Sequence, residues 1–106
     1  MAYYPFQDRK EQLALTCTHV LEGADITLVC HHFDDNTWEF VCGGVHTEDD
    51  AIVLSIGELC ESDPTLHLLS DLPVGAAATR KDRTHAWQRG RIDGEKFYPA
   101  ADSRMG

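Results

Sequence analysis

ITLVCHHFDDNTWEFVC, residues 26–42, decides the fold. Ile26–Phe33 is rich in β-branched and aromatic residues, which favour a strand. Asp34-Asp35-Asn36 signals a turn, because Asp and Asn tolerate left-handed backbone. Trp38–Cys42 then returns, so the segment reads as an antiparallel hairpin. Trp38, Phe40 and Cys42 share one face by the period of two. A two-residue loop sets Trp38 opposite Phe33 and a three-residue loop sets it opposite His32. That choice exchanges Cys30 and His31 between the core and the other face. Placing Phe33 and Val29 beside Trp38 and Cys42 buries more apolar area and is the expected arrangement.

Outward on the N-terminal side, Leu13–Val20 alternates Leu13, Leu15, Cys17 and His19 with small or polar residues. This predicts a strand with those four on one face. Residues 1–12 lack period and read as a loose arm. On the C-terminal side, Gly43-Gly44 ends the hairpin and Thr47–Asp50 forms an acidic loop. Ala51–Leu54 reads as a short strand. Ser55-Ile-Gly-Glu58 matches a capping box that opens a helix running to about Glu61. Asp63-Pro64 opens a second helix, with Asp as N-cap and Pro where its missing N–H costs nothing. Leu66, Leu69 and Leu72 form its apolar stripe, and Pro73 stops it.

Gly75-Ala-Ala-Ala-Thr79 predicts a close-packed strand, and His85–Arg89 a last extended segment. Arg80 is expected to pair with an acid and order the loop after Gly75; Trp38 and Trp87 are expected in the core. The prediction is a single α+β domain over 13–89. It has a mostly antiparallel sheet of four or five strands, with the two short helices of 55–72 on one face. Val29, Trp38, Phe40, Leu54, Leu59, Leu66 and Leu69 form the expected core, and 90–106 reads as a basic, flexible tail.

The chain has 106 residues and a formal net charge of −9, enough for one domain with one core. From Glu11 to Thr79 there are thirteen Asp and Glu, and no Lys or Arg. Arg80–Gly106 carries seven Lys and Arg against four acids. An acidic body repels nucleic acid and anionic membrane and speeds encounter with a basic protein partner. Asp34, Asp35, Glu39, Glu48, Asp49 and Asp50 are the candidate contact residues. No apolar run approaches the roughly 20 residues that span a bilayer. The first residues lack the pattern of a secretory signal, so the expected location is the cytoplasm.

Cysteine and histidine form the sharpest chemical set: Cys17-x-His19, Cys30-His31-His32 and Cys42-x-x-x-His46. Thiolate and imidazole are zinc ligands, and adjacent strands can converge them. The spacing matches no familiar zinc knuckle, and cysteine is often a plain buried hydrophobe. Buried reduced thiols with no cofactor are therefore the expectation. A zinc site drawn from Cys17, His19, Cys30, Cys42 and His46 is the alternative. Cys42 followed by Gly43-Gly44 and His46 superficially suggests a cysteine nucleophile, but acidic surroundings disfavour a reactive thiolate. Gly43-Gly44 belongs to no phosphate-binding motif.

One further pattern spans residues 26–87. Trp38-x-Phe-x-Cys-Gly43 is followed by Asp63-Pro64-Thr-Leu66, Asp71-Leu-Pro-Val-Gly75, Ala78-x-Arg80 and Trp87. This resembles the bacterial Imm33-like (DUF2185) group. The resemblance implies an immunity-like role, blocking a toxin, and it supplies no catalytic residues. The expected function is a non-enzymatic interaction domain that binds a basic protein; the alternative is a small zinc-binding domain.

Overall fold

The computed structural model describes residues 6, 9–32, 37–42, 48–93 and 96–99. Seven strands form a single sheet: β1 (Leu13–Cys17), β2 (Leu28–His31), β3 (Trp38–Val41), β4 (Ala51–Ser55), β5 (Ala76–Thr79), β6 (Gln88–Asp93) and β7 (Lys96–Pro99). Their order is β4-β1-β3-β2-β5-β6-β7. Helix α1 (Thr18–Leu21) follows β1 directly, and helix α2 (Ile56–Ser62) follows β4. Two 3-10 segments, Glu48–Asp50 and Pro64–Leu69, are the remaining elements among the described residues. The α+β class holds. The expected sheet of four or five strands is corrected to a mixed sheet of seven, with β1 and β3 parallel and every other pair antiparallel.

The hairpin of β2 and β3 forms, with His31 opposite Trp38 and Val29 opposite Phe40. This register lies two residues from the expected one. A shift of two preserves the faces, so Val29 does share the core side with Trp38. His31, on the same face, now stands opposite Trp38: its ring stacks on Trp38 at 4.0 Å, and its Nδ1 lies 2.8 Å from Leu72 O. Residues 33–36, including the expected turn, lie outside the described residues.

The core lies between one sheet face and the α2 to Leu72 segment. Val29, Trp38, Phe40, Leu59, Leu66 and Leu69 are buried as expected, while Leu54 is only half-buried. The capping box forms: Glu58 N–H donates to Ser55 Oγ, and Ser55 N–H donates to Glu58 Oε1. Asp63 caps the next segment by accepting from Thr65 N–H, but Pro64–Leu69 is 3-10 rather than α-helical. Phe6, in the stretch read as a loose arm, packs edge-on against Trp38 at 5.2 Å.

β1 ends at Cys17 rather than at Val20, because Thr18–Leu21 is helical, and its more hydrophobic residues point outward. Ala14 and Thr16 are buried, whereas Leu13 and Leu15 are 53% and 38% exposed. Leu15 faces Val53 across the β1–β4 ladder, and Val53 is also exposed.

The stretch read as the start of a tail instead extends the sheet. β6 pairs with β5, and β7 with β6. Gly90 makes this possible, because a Cβ there would lie 2.2 Å from Tyr98 O and 2.7 Å from the Phe97 ring.

Arg80 ties the layers together. Its Nη2 donates to Asp63 Oδ2 at 2.6 Å, Nη1 to Thr65 Oγ1 at 2.9 Å and Nε to Ile26 O at 2.9 Å. The guanidinium also lies over the Trp87 ring at 4.0 Å. Burial pushes the Asp63 carboxyl up, but hydrogen bonds from Thr65 and Arg80 and the Arg80 charge outweigh it and hold the group below its ordinary range.

Candidate metal centre

Parallel strands end side by side, and this brings a set of possible metal ligands together. The parallel register sets Leu15 opposite Glu39. Two residues on, β1 ends at Cys17, level with Val41 and one residue short of Cys42. The chain turns sharply after Cys17. Cys17 keeps extended backbone (φ −129°, ψ 156°) as the N-cap of α1. One helical turn then presents His19. Gly23 ends the turn at φ +105°, a conformation that glycine adopts without strain, and Ala24 N–H closes it onto His19 O.

Three ligand atoms converge here. Cys17 Sγ lies 3.7 Å from Cys42 Sγ, and Cys42 Sγ lies 3.6 Å from His19 Nδ1. The ligand atoms of Cys17, His19 and Cys42 all fall within 4.8 Å of one another. A tetrahedral zinc ion, with Zn–S near 2.3 Å and Zn–N near 2.05 Å, places two sulfurs about 3.8 Å apart and sulfur and nitrogen about 3.6 Å apart. Two thiols in simple contact have a similar separation. The imidazole nitrogen beside the second sulfur adds a third atom at a separation that a shared ion would also give. Cys42 N–H donates to Cys17 Sγ at 3.5 Å, using the sulfur as an acceptor. Both cysteines are buried, and the His19 side chain is 34% exposed. His19 and Cys42 line an open cleft of about 610 Å³, with Glu22, Asp25, Thr27, Lys81 and Asp82 around it.

Among the described residues, one proposed ligand falls elsewhere. Cys30 sits within β2, opposite Glu39 and Ala77. Because β2 runs antiparallel to β3, Cys30 is carried away from the end where Cys42 lies. Burial, with the charge of Glu39 added, pushes its thiol up to about 11. Cys60, in α2, is likewise pushed up to about 11 by burial and the charge of Asp63. His46 lies outside the described residues.

Of the candidate acids, Asp34 and Asp35 also lie outside the described residues. Glu48 opens a 3-10 turn. Asp49 is exposed. The other two have intramolecular partners. Glu39 Oε1 lies 2.8 Å from His32 Nε2, and Asp50 accepts from the Thr18 hydroxyl at 3.4 Å. Sequence reasoning missed Asp50 as a neighbour of His19. The signal for it was the β1–β4 ladder, in which Cys17 pairs with Ala51.

Among the described residues, no helix is long and apolar enough to cross a membrane. Comparison with known proteins finds no matching family model, no matching curated sequence and no matching solved structure.

Proposed function

We propose that this domain binds a zinc-class metal ion through Cys17, His19 and Cys42. The convergence of two sulfurs and one imidazole nitrogen at 3.7 and 3.6 Å carries the reading. Two thiolates and a neutral imidazole suit zinc, a borderline-soft ion, better than magnesium or calcium, which prefer oxygen. The ion would clamp the ends of β1 and β3 to α1, and it would stand at the wall of the cleft. Elemental analysis of the full chain, purified without chelator, tests this. About one zinc per chain is expected, and its loss in Cys42→Ser. A metal-free wild type that also fails to take up added zinc would overturn the reading.

A second reading, an acidic domain that binds a basic protein, draws on the charge distribution and on one surface. Leu13, Leu15 and Val53 form an exposed apolar strip inside the span that has no Lys or Arg. An apolar centre within an acidic field suits a partner with an apolar contact ringed by basic residues. The immunity-like role implied by the Imm33-like motifs belongs to this reading. It requires a basic partner whose association slows with salt; Leu15→Asp and Val53→Asp should weaken that association. Equal binding at low and high salt would remove the charge argument.

A further inference from the structure

The β1–β4 ladder delivers a carboxylate to the back of the metal centre. Cys17 pairs with Ala51, so the residue before Ala51 comes level with the residue after Cys17. Those residues are Asp50 and Thr18, and the Thr18 hydroxyl donates to Asp50 Oδ1 at 3.4 Å. His19 stands between the two features. Its Nδ1 faces Cys42 Sγ at 3.6 Å, while its Nε2 faces Asp50 Oδ1 at 4.0 Å. Asp50 is half-buried, its side chain 26% exposed.

We propose that Asp50 is the positioning residue of this centre, accepting a hydrogen bond from His19 Nε2–H so that Nδ1 presents its lone pair to the metal. The inference rests on the metal-binding reading above. A neutral imidazole carries one proton, and its two nitrogens compete for it. A carboxylate beside Nε2 favours the tautomer with the proton there. Nδ1 then carries the lone pair that a metal would take, and the ring is held in the plane the metal needs. Such carboxylate partners of a ligating histidine also raise its basicity; their loss typically weakens metal binding about 10–100-fold. The present 4.0 Å separation is longer than a hydrogen bond, so binding closes it by about 1 Å. Thr18 holds the carboxylate on the correct side. The acidic loop read from sequence as a partner-contact knob thus contributes its last residue to the metal centre.

Zinc affinity, measured by competition with a chromogenic chelator on the full chain, tests the proposal. Asp50→Ala should bind one zinc about 10–100-fold more weakly than wild type. Asp50→Asn, which keeps an acceptor but loses the charge, should fall between. In wild type loaded with zinc, nitrogen NMR of His19 should show a protonated Nε2 and a metal-bound Nδ1; Asp50→Ala should lose that slow-exchanging Nε2–H. Cobalt substitution supplies the second readout. The spectrum should keep the intensity of a tetrahedral two-sulfur site in Asp50→Ala. Unchanged affinity in Asp50→Ala, with binding still abolished in Cys42→Ser, would overturn the positioning role and leave the metal site standing. A cobalt spectrum that loses a ligand in Asp50→Ala would make Asp50 a ligand and also overturn it. Absence of metal binding in wild type would remove the underlying reading together with this one.

Discussion

Two polar clusters sit within the same small domain, and they are built on opposite terms. Around Arg80, three guanidinium nitrogens donate to Asp63, Thr65 and Ile26 O, and the opposing charges lie 2.6 Å apart. Donors meet acceptors, so the cluster is complete within the chain. Around Cys42, two sulfurs and an imidazole nitrogen converge, all of them groups that offer lone pairs. As thiols they satisfy one another only weakly. A buried cluster that balances its own charge reads as architecture. A convergence of lone pairs beside a cleft reads as a place for a cation.

The contrast breaks first at the closed cluster. Asp63→Asn leaves the Arg80 guanidinium buried beside a neutral group and should destabilise the fold by about 3–5 kcal/mol. Denaturant unfolding measures this. Replacing Asp63 and Arg80 together with apolar residues should cost less than Asp63→Asn alone. Because the Asp63 pKa is lowered on folding, its contribution is present above the ordinary carboxylate range and is lost as pH falls through it. Acid unfolding of Asp63→Asn should therefore be shallower. Identical acid profiles for the two proteins would separate the pair from stability.

The open cluster should respond to metal instead. Zinc at about 100 times its dissociation constant should stabilise the wild type by about 2.7 kcal/mol. Cys42→Ser should show no such gain while unfolding normally without zinc. A zinc gain retained in Cys42→Ser would place the ion elsewhere.

The remaining cysteines sharpen the distinction with a smaller effect. Cys30 and Cys60 are each raised to about 11, chiefly by burial. A raised folded value means their contribution is fully present below the unfolded value near 9. It is lost as pH rises from about 9 to about 11, by about 1–3 kcal/mol per thiol. Cys30→Ala with Cys60→Ala should flatten that alkaline loss without changing zinc content. If zinc disappears in that variant, the metal is not confined to Cys17, His19 and Cys42.

Smallest is Thr16→Val. The Thr16 hydroxyl is buried in β1 with no hydrogen-bond partner among the described residues. An apolar group of the same shape should leave stability unchanged or raise it by up to about 1 kcal/mol. A loss above 1 kcal/mol would show that the hydroxyl has a partner in solution, with a buried water the first candidate.

Much of the local structure was legible. The hairpin, the Ser55–Glu58 capping box and the Asp63 cap follow from short-range rules, whereas the Arg80 pair was legible only as an arginine expected to meet some acid, 17 positions away as it proves. Turn residues, caps and period-two alternation act over a few residues, and the chain carries them in order. The face of β1 was not legible, because Leu13 and Leu15 are the more hydrophobic pair yet lie outward. Which face meets the core is set by long-range packing, which no local pattern records, and Ala14 and Thr16 are the buried pair. The last extended segment was expected to end at Arg89, and its continuation to Asp93 and the whole of β7 were missed, because Gln88–Asp93 is polar. Gly90, which has no side chain to signal a sheet, is what admits β7.

By itself, then, the sequence determined the α+β class, the β2–β3 hairpin, the caps and the identity of the chemically capable residues. Only the tertiary structure decided which of those residues meet. Cys17 and Cys42 are 25 positions apart in sequence. They adjoin because β1 pairs in parallel with β3, and a parallel pairing between distant strands leaves no local mark. The antiparallel partner β2, by the same geometry, carries Cys30 away. Local preferences fix what each segment is; the pairing of distant segments, set by the whole core, fixes the chemistry they share.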